Sequence, residues 1–232
     1  MMKFAVICSA GGSAFFAAFD ILLEAEKCTK EDFIIITDRS CDAELEAVSR
    51  GIRYQRIPFE SKQQFSISVA DFLIKQEVAA ILMLYSRLIT AELFLTFPTL
   101  NIHPALLPAF KGMNAVGQAL DAGAKFMGAT LHLTTEKMDD GTILAQVVSP
   151  IKNDTTRVQA DRLSFLQKTY LILVALDAVR LKLINFHSTL NSVNWHIDME
   201  FTSSANPCIP SSELRNSFSE FQVSLGMPGA IK

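Results

Sequence analysis

The sequence holds few of the features that mark secreted, metal-binding or membrane proteins. Its four cysteines, Cys8, Cys28, Cys41 and Cys208, are scattered through 232 residues and form no CxxC pair or cysteine–histidine cluster. This spacing is typical of reduced thiols in a cytoplasmic protein and predicts neither a disulfide framework nor a structural metal site. The longest wholly apolar run covers residues 78–85 and is far too short to cross a bilayer. We therefore expect no metal and no membrane association.

The sequence also lacks a large excess of charge of either sign. The formal net charge is −3, and the basic residues form no stripe. A nucleic-acid partner is therefore not expected, and small anionic ligands must be held by local features instead of by the overall field. Half of the residues are hydrophobic, so a chain of this length fits one large domain or one domain with an appendage.

The first ten residues allow two interpretations. Met1, Met2 and Lys3 precede an apolar stretch, which is the pattern of a signal peptide on a secreted binding protein. However, only one lysine precedes a short run, and the residues that follow are typical of a strand, a glycine loop and a helix. We adopt the second interpretation; a mature protein truncated near Ala10 would favour the first.

Short apolar runs alternate with segments of helical period. We predict strands at residues 4–8, 33–37, 54–58, 79–84, 100–103, 128–134 and 144–151, and helices at 14–26, 42–50, 65–76, 91–97, 114–122 and 156–183. This order predicts an α/β fold of Rossmann-like type, a mostly parallel twisted sheet with helices on both faces. Residues 1–184 form the main domain in this interpretation. Residues 185–232 form a C-terminal extension with one or two strands and a loosely ordered tail.

Ligands of parallel α/β sheets bind beyond the carboxyl ends of the strands, where the topology switches. The loops after Cys8, Leu84, His103 and Thr134 are all expected at that edge. The first of them, residues 9–13, is made of small residues between a strand and a helix. Such a loop turns backbone N–H groups toward an anion such as phosphate, although a tight strand-to-helix turn needs small residues for its own reasons.

Asn101 and His103 are the most informative residues, because only four histidines occur in the chain. Alternation along an extended segment places both side chains on one side and Ile102 on the other. Pro104 restricts His103 to extended geometry. A lone histidine is more often structural, but an amide and an imidazole paired at a strand end indicate chemistry at a carbonyl carbon.

Asp139, in the segment Asp139-Asp140-Gly141, would complete that set with a carboxylate that orients the imidazole. An Asp–Gly pair is also typical of an ordinary solvated turn. His132 lies on the strand before it and faces the same way as Thr130, either as a core histidine or as a partner of Asp139. Arg87 leaves the end of an apolar strand, either lining a cleft or standing as a surface charge.

Together these segments resemble the folate-dependent formyltransferases, and within that family the enzymes that act on glycinamide ribonucleotide. The resemblance spans roughly residues 3–180, and its central block is highly specific. The segments that carry it are Asn101-Ile102-His103-Pro104-Ala105-Leu106-Leu107-Pro108-Ala109-Phe110-Lys111-Gly112, Gln118-Ala119-Leu120-Asp121-Ala122-Gly123, Gly128-Ala129-Thr130-Leu131-His132 and Met138-Asp139-Asp140-Gly141-Thr142-Ile143-Leu144-Ala145-Gln146.

The resemblance implies transfer of a formyl group from 10-formyltetrahydrofolate to the amine of glycinamide ribonucleotide, in purine biosynthesis. It implies Asn101, His103 and Asp139 as catalytic residues, Asp139 being chosen over Asp140 by its spacing from His132. Thr130 and His132 are expected to support them. The residues implied for the substrate phosphate are Gly11, Gly12, Ser13, Ala14 and Lys62. Those implied for folate are Tyr85, Ser86, Arg87, Leu88, Ile89, Thr135 and Glu136.

Three positions depart from the family pattern, and they bear mostly on the acceptor substrate. Ala14 stands where the phosphate loop usually has an asparagine, and Lys111 replaces a proline before Gly112. Arg162 stands where a substrate-binding glutamate is expected, and a guanidinium cannot accept a hydrogen bond. The folate half is therefore better preserved than the acceptor half.

Other functions stay open at this point. In one alternative the acceptor is a different amine, such as an amino-sugar. In another the acceptor is water, and the protein is then a 10-formyltetrahydrofolate hydrolase. Hydrolases of that type usually carry an extra N-terminal domain, whereas this sequence begins at the first strand, so we expect the transferase. A folate-binding protein without turnover is the non-enzymatic alternative. We expect small-molecule partners and a monomer or homodimer.

Overall fold

The computed structural model describes residues 2–187, 192–195 and 199–231. The strands are β1 Phe4–Cys8, β2 Phe33–Thr37, β3 Arg53–Arg56, β4 Ala80–Leu84, β5 Thr99–His103, β6 Phe126–Leu133, β7 Ile143–Pro150, β8 Ile184–His187, β9 Ser192–Trp195 and β10 Ala205–Asn206. The α-helices are α1 Ser13–Glu24, α2 Asp42–Ser49, α3 Lys62–Ile74, α4 Ala91–Phe94, α5 Ala115–Asp121, α6 Arg157–Arg180 and α7 Ser212–Ser224. No helix of the described part is long and apolar enough to span a membrane.

One eight-stranded sheet organises the chain, in the order β10-β7-β6-β5-β4-β1-β2-β3. The five strands from β3 to β5 pair in parallel, and helices connect them. The α/β prediction, with helices on both faces of a mostly parallel sheet, is confirmed. The first strand, β1, is the middle one of the five parallel strands and is completely buried.

One part of the topological prediction was wrong. β6 runs antiparallel to β5, and β7 runs antiparallel to β6. The rule for parallel strands therefore does not bring the carboxyl end of β6 to the same edge as the ends of β1 and β4. The segment that follows β6 still reaches the ligand cavity, as its lining residues show below.

Alternate residues of the strands enter two cores on opposite faces of the sheet. The larger core holds Val6, Leu100 and Ile102 together with the apolar faces of α1, α6 and α7. The smaller core holds Ile7 and Met83 with the apolar residues of α3 and α4. Because Ile102 belongs to the larger core, its neighbours in β5, residues 101 and 103, face the other side.

The C-terminal extension differs from its prediction. A loosely ordered tail was expected after the terminal strands, but residues 212–224 form α7, and β10 adds to the main sheet beside β7. The apolar side chains Leu214 and Phe218 repeat at helical spacing and are buried in the larger core. This periodicity was present in the sequence, among serines that obscured it. The domain division at residue 184 stays a prediction.

A buried carboxylate fastens this extension to α6. The side chain of Asp177 is fully buried and accepts hydrogen bonds from the Arg180 guanidinium, at 2.6 and 3.0 Å. It also accepts from the backbone N–H of Ser211 at 2.7 Å and from its hydroxyl at 2.6 Å. The charge is therefore satisfied from two segments that are distant in sequence, as a buried carboxylate requires.

We predict that Asp177→Ala lowers the free energy of unfolding by about 3 kcal/mol, because it leaves the partly buried Arg180 and the Ser211 N–H without their acceptor. Chemical denaturation measures the change. Asp71→Ala, on an exposed face of α3, is the control and should stay within about 0.5 kcal/mol of the parent. Equal effects of the two substitutions would contradict the role of Asp177.

Candidate active site

A cavity of about 940 Å³ lies at the carboxyl end of the parallel strands. It is bordered by the loops after β1 and β4, by the end of β5 and by the segments that follow β5 and β6. Residues 9–14, residues 84–89, Asn101, His103, His132 and Asp139 all line it. Side chains from four separate parts of the sequence therefore share one wall.

The register of β5 and β6 brings an amide and two imidazoles together. Asn101 lies directly opposite His132, and His103 lies opposite Thr130. Residues that are opposite in an antiparallel pair have side chains on the same face and in contact distance. A register shift between Leu131 and His132, where β6 meets β7, is a bulge that accompanies this position.

His132 is a neutral ring that orients Asn101. It is 2% exposed, and burial lowers its pKa. The nearby carboxylate of Asp139 acts in the opposite direction but has the smaller effect. Its Nδ1 lies 2.8 Å from the carbonyl of Leu133, which accepts only, so Nδ1 carries the proton. The Nε2 atom is then an acceptor. Asn101 Nδ2, 3.2 Å away, donates to it, which leaves the second N–H of the Asn101 amide for a ligand.

The His103 imidazole lies between two oxygen acceptors. Its Nε2 is 2.8 Å from the carbonyl of Phe110, and its Nδ1 is 3.3 Å from Asp139 Oδ2. Both contacts are satisfied by a ring that carries a proton on each nitrogen. His103 is 5% exposed, so both of these contacts lie in a poorly solvated wall of the cavity.

Asp139 joins the two loops that frame the site. Its Oδ2 accepts from the Gly112 N–H at 2.8 Å as well as facing His103, and its Oδ1 is 3.7 Å from His132 Nε2. The residue has a left-handed backbone, with φ of 51°. A Cβ at Gly141 would lie 1.7 Å from the Leu133 carbonyl oxygen, so only glycine permits this return of the chain.

Thr130 supports the site through the backbone and does not contact Asp139 or the cavity. Its hydroxyl donates to the Ala105 carbonyl at 2.7 Å and accepts from the Leu107 N–H at 3.0 Å. Gln146 Nε2 donates to the same hydroxyl and to the Leu107 carbonyl. These bonds fix the turn that follows His103. The supporting role expected of Thr130 is therefore exerted on that turn.

The loop after β1 has the geometry of an anion-binding turn. Gly12 has a left-handed φ of 63°, and no side chain caps the start of α1. A Cβ at Gly12 would lie 3.0 Å from Cys8 Sγ, so both the backbone conformation and the lack of space favour glycine at this position. Ser9 and Ser86 are joined through their hydroxyls at 3.1 Å, which links this loop to the one after β4.

A buried carboxylate that sequence reasoning missed holds the loop after β4. Asp38 Oδ1 accepts from Arg39 Nε at 3.0 Å, and its Oδ2 accepts from the Tyr85 hydroxyl at 3.2 Å and forms an ion pair with Arg87 Nε at 3.1 Å. Burial raises the pKa of Tyr85, so the phenol stays a donor. Arg87 also lies over the ring of Phe59, with 4.2 Å to its centroid. Arg87 is therefore fixed, and lines the cavity.

Two of the residues predicted to bind phosphate or folate lie away from the cavity. Lys62 is the first residue of α3, the helix that packs on the smaller core, and it does not line the cavity. Glu136 is exposed in the loop between β6 and β7, whereas its neighbour Thr135 lines the cavity. The remaining residues predicted for phosphate and folate, residues 11–14 and 85–89, all line it.

Arg162 is placed differently from what its motif position implied. Its Nη2 donates to the Leu225 carbonyl at the end of α7, at 2.8 Å, and the residue does not line the cavity. Arg157, near the start of the same helix, lines the cavity and bonds Asn114 Oδ1 at 2.9 Å. Arg162 therefore anchors the C-terminal segment instead of lining the cavity.

The arrangement suits attack on a carbonyl carbon. A directed amide N–H and a flanking imidazole can stabilise an oxyanion, and a carboxylate can orient the imidazole or accept a proton through water. Asn101, His103 and Asp139 are each held by at least one further hydrogen bond or ionic contact within the described residues. They are therefore set in place before any ligand arrives.

The comparisons with known proteins agree with this geometry. The formyl transferase family model matches residues 2–175. The phosphoribosylglycinamide formyltransferase of Bacillus subtilis (strain 168) is 34% identical over 175 residues, which are 72% of this chain and 89% of that enzyme. Formyltetrahydrofolate deformylase 2, mitochondrial, of Arabidopsis thaliana is 35% identical over 122 residues, which are 51% of this chain and 35% of that protein.

Among solved structures, glycinamide ribonucleotide transformylase 1 from Symbiobacterium toebii superposes with a TM-score of 0.72. The two sequences are 26% identical, and the match covers 82% of this chain and 92% of the other.

We predict that His132 makes folding stability fall with acidification. Its folded pKa lies below the 6.5 of an unfolded chain, so below about pH 6.5 the unfolded state binds a proton that the folded state refuses. Stability then decreases as pH falls, by at most about 1.4 kcal/mol per pH unit. Denaturation of the parent and of His132→Gln between pH 7.5 and 5.5 measures this. The variant should have a shallower dependence; identical slopes would contradict the assignment.

Proposed function

Because this chain belongs to the formyl transferase family, we propose that it transfers the formyl group of 10-formyltetrahydrofolate to the amine of glycinamide ribonucleotide, a step of purine biosynthesis. The observation that carries the proposal is the convergence of Asn101, His103 and Asp139 on one cavity, with the Asn101 amide directed by His132. The similarity to phosphoribosylglycinamide formyltransferases over most of the chain supports the choice of acceptor.

The proposed reaction is a direct acyl transfer. The nitrogen of the acceptor amine attacks the formyl carbon, and the carbonyl electron pair moves to the oxygen. The oxyanion then collapses, the bond from carbon to N10 of the folate breaks, and N10 takes a proton as the amine loses one. The products are the formylated amine and tetrahydrofolate, and neither a metal nor a covalent enzyme intermediate takes part.

Three side chains divide the work in this mechanism. The free N–H of Asn101 donates to the oxyanion, and a protonated His103 stabilises it by its charge. Asp139 holds His103 and accepts the departing amine proton through a water molecule. Since Asp139 already accepts from the Gly112 N–H, the carboxylate keeps its position while the proton moves.

The two substrates are assigned to different parts of the cavity. We assign the pterin to residues 85–89 and to Thr134, Thr135, Lys137 and Met138, which line the same cavity as Asn101 and His103. We assign the phosphate of the acceptor to residues 11–14 at the start of α1, where unpaired helix N–H groups favour an anion. The directed amide then lies between the formyl donor and the attacking nitrogen.

The cell compartment and assembly state are part of the same proposal. All four cysteines are free thiols, which suits the reducing cytoplasm better than an oxidising compartment. We place the enzyme in the cytoplasm with small-molecule partners, as a monomer or homodimer.

Hydrolysis of the formyl donor is the second candidate, because a formyltetrahydrofolate deformylase is among the similar proteins. In that reaction water replaces the amine in the same cavity. A spectrophotometric assay with 10-formyltetrahydrofolate therefore needs three arms: glycinamide ribonucleotide, an amino-sugar, and no acceptor. Tetrahydrofolate release that requires the ribonucleotide supports the proposal. Release without an acceptor supports the hydrolase, and release only with the amino-sugar supports a different transferase.

We predict that Asn101→Ala and Asp139→Asn each lower kcat by about 100-fold or more, the usual effect of losing an oxyanion donor or a group in its support. Steady-state kinetics with saturating donor and acceptor measure the change. Asn153→Ala and Asp154→Asn alter exposed residues outside the cavity and should keep full activity. Full activity of Asn101→Ala or of Asp139→Asn would remove that residue from the mechanism.

A further inference from the structure

One face of α6 borders the cavity with residues that the catalytic assignment leaves unused. Arg157, Asp161, Ser164, Phe165 and Lys168 all line it. Their spacing of three or four residues puts them in one stripe along the helix. The stripe faces the same cavity as residues 9–14, and α6 packs against α1, which begins in that loop.

Lys168 is the cation of this stripe that lacks a carboxylate. It is partly buried, and it forms no ion pair with any residue of the described part of the chain. Burial lowers its pKa, and Asp161 opposes that effect. However, both oxygens of Asp161 already accept from Arg157 Nε at 2.9 Å. An ammonium that is partly removed from water without a partner is costly, and a bound anion offsets that cost.

The other cations along the cavity are placed differently. Arg39 and Arg87 both form ion pairs through Nε with the buried carboxylate of Asp38. Lys137 is exposed and keeps its hydration. Lys168 therefore differs from the other cations that line the cavity, because it is partly buried and has no carboxylate partner among the described residues. It is available to bind an anion.

The loop assigned to the phosphate, residues 9–14, has no cation of its own. It offers backbone N–H groups and the hydroxyl of Ser13, but residues 9–14 contain no charged side chain. The N-terminus of α1 adds only a partial positive charge. A phosphate monoester carries between one and two negative charges at neutral pH. We expect a second element to supply a full positive charge, and α6 packs against α1.

We propose that Lys168 binds the phosphate group of the acceptor substrate and is the charged residue of that subsite. The assignment rests on the proposed function, in which the acceptor is a phosphorylated ribosyl amine. The N–H-rich loop and Lys168 hold the phosphate from two sides. A charge-assisted contact of this kind strengthens binding without taking part in the acyl transfer.

The test compares two acceptors, glycinamide ribonucleotide and the same molecule without its phosphate. Lys168→Met keeps the length and apolar stem of the side chain and removes the charge. We expect the preference of the enzyme for the phosphorylated acceptor, measured as the ratio of kcat/KM values, to fall about 10- to 100-fold in Lys168→Met. The KM for 10-formyltetrahydrofolate should stay unchanged. Lys75→Met, on an exposed position after α3, is the control for loss of a lysine.

A second readout does not depend on catalysis. Inorganic phosphate should raise the melting temperature of the parent and of Lys75→Met, and the rise should be largely lost in Lys168→Met. If glycinamide ribonucleotide is not formylated while this phosphate effect depends on Lys168, the proposed function fails and the anion site stands. If the preference for the phosphorylated acceptor is unchanged in Lys168→Met, the assignment of Lys168 is overturned. A raised KM for the folate alone also overturns it, because Lys168 then serves the donor.

Discussion

The hydrogen bond between Asn101 and His132 is the constraint on which the site depends. An amide has two ends, and only the nitrogen can donate to a developing oxyanion. The buried His132 decides which end is free, because its Nδ1 is committed to the Leu133 carbonyl and its Nε2 must accept. A pKa lowered by burial keeps the ring neutral, so the acceptor persists at physiological pH. The direction of the Asn101 amide is thus set by the buried histidine beside it.

A second requirement is that distant loops meet with small tolerances. The antiparallel register of β5 and β6 aligns Asn101 with His132, and the chain must then return to place Asp139 against His103. This return brings residue 141 so close to the Leu133 carbonyl that only glycine fits there. The Asp-Asp-Gly segment has the composition of an ordinary turn, but here its close packing also positions a carboxylate. The close approach of Gly141 to Leu133 therefore both forms the turn and places Asp139 beside His103.

The sequence predicted the strands and helices well where apolar periodicity was strong, and it predicted many of the residues that line the cavity where a dense motif was present. The α/β sheet, the alternation in β5 and the position of residues 85–89 follow from patterns of that kind. It failed where long-range pairing decides: the antiparallel direction of β6, and α7, whose apolar repeat is interrupted by serines. Asp38 was missed because its importance comes from Arg39 and Arg87, and no local pattern links those three residues. Arg162 likewise became interpretable only through its contact with the end of α7.

Nitrogen-15 NMR of histidine-labelled protein tests the central claim most directly, because it reports which ring nitrogen carries a proton. The account predicts that His132 is a neutral ring at pH 7, protonated at Nδ1 and unprotonated at Nε2, with a hydrogen bond from the Asn101 amide that disappears in Asn101→Ala. A His132 ring protonated at Nε2, alone or together with Nδ1, would contradict it, since the Asn101 amide would then present its oxygen to that ring.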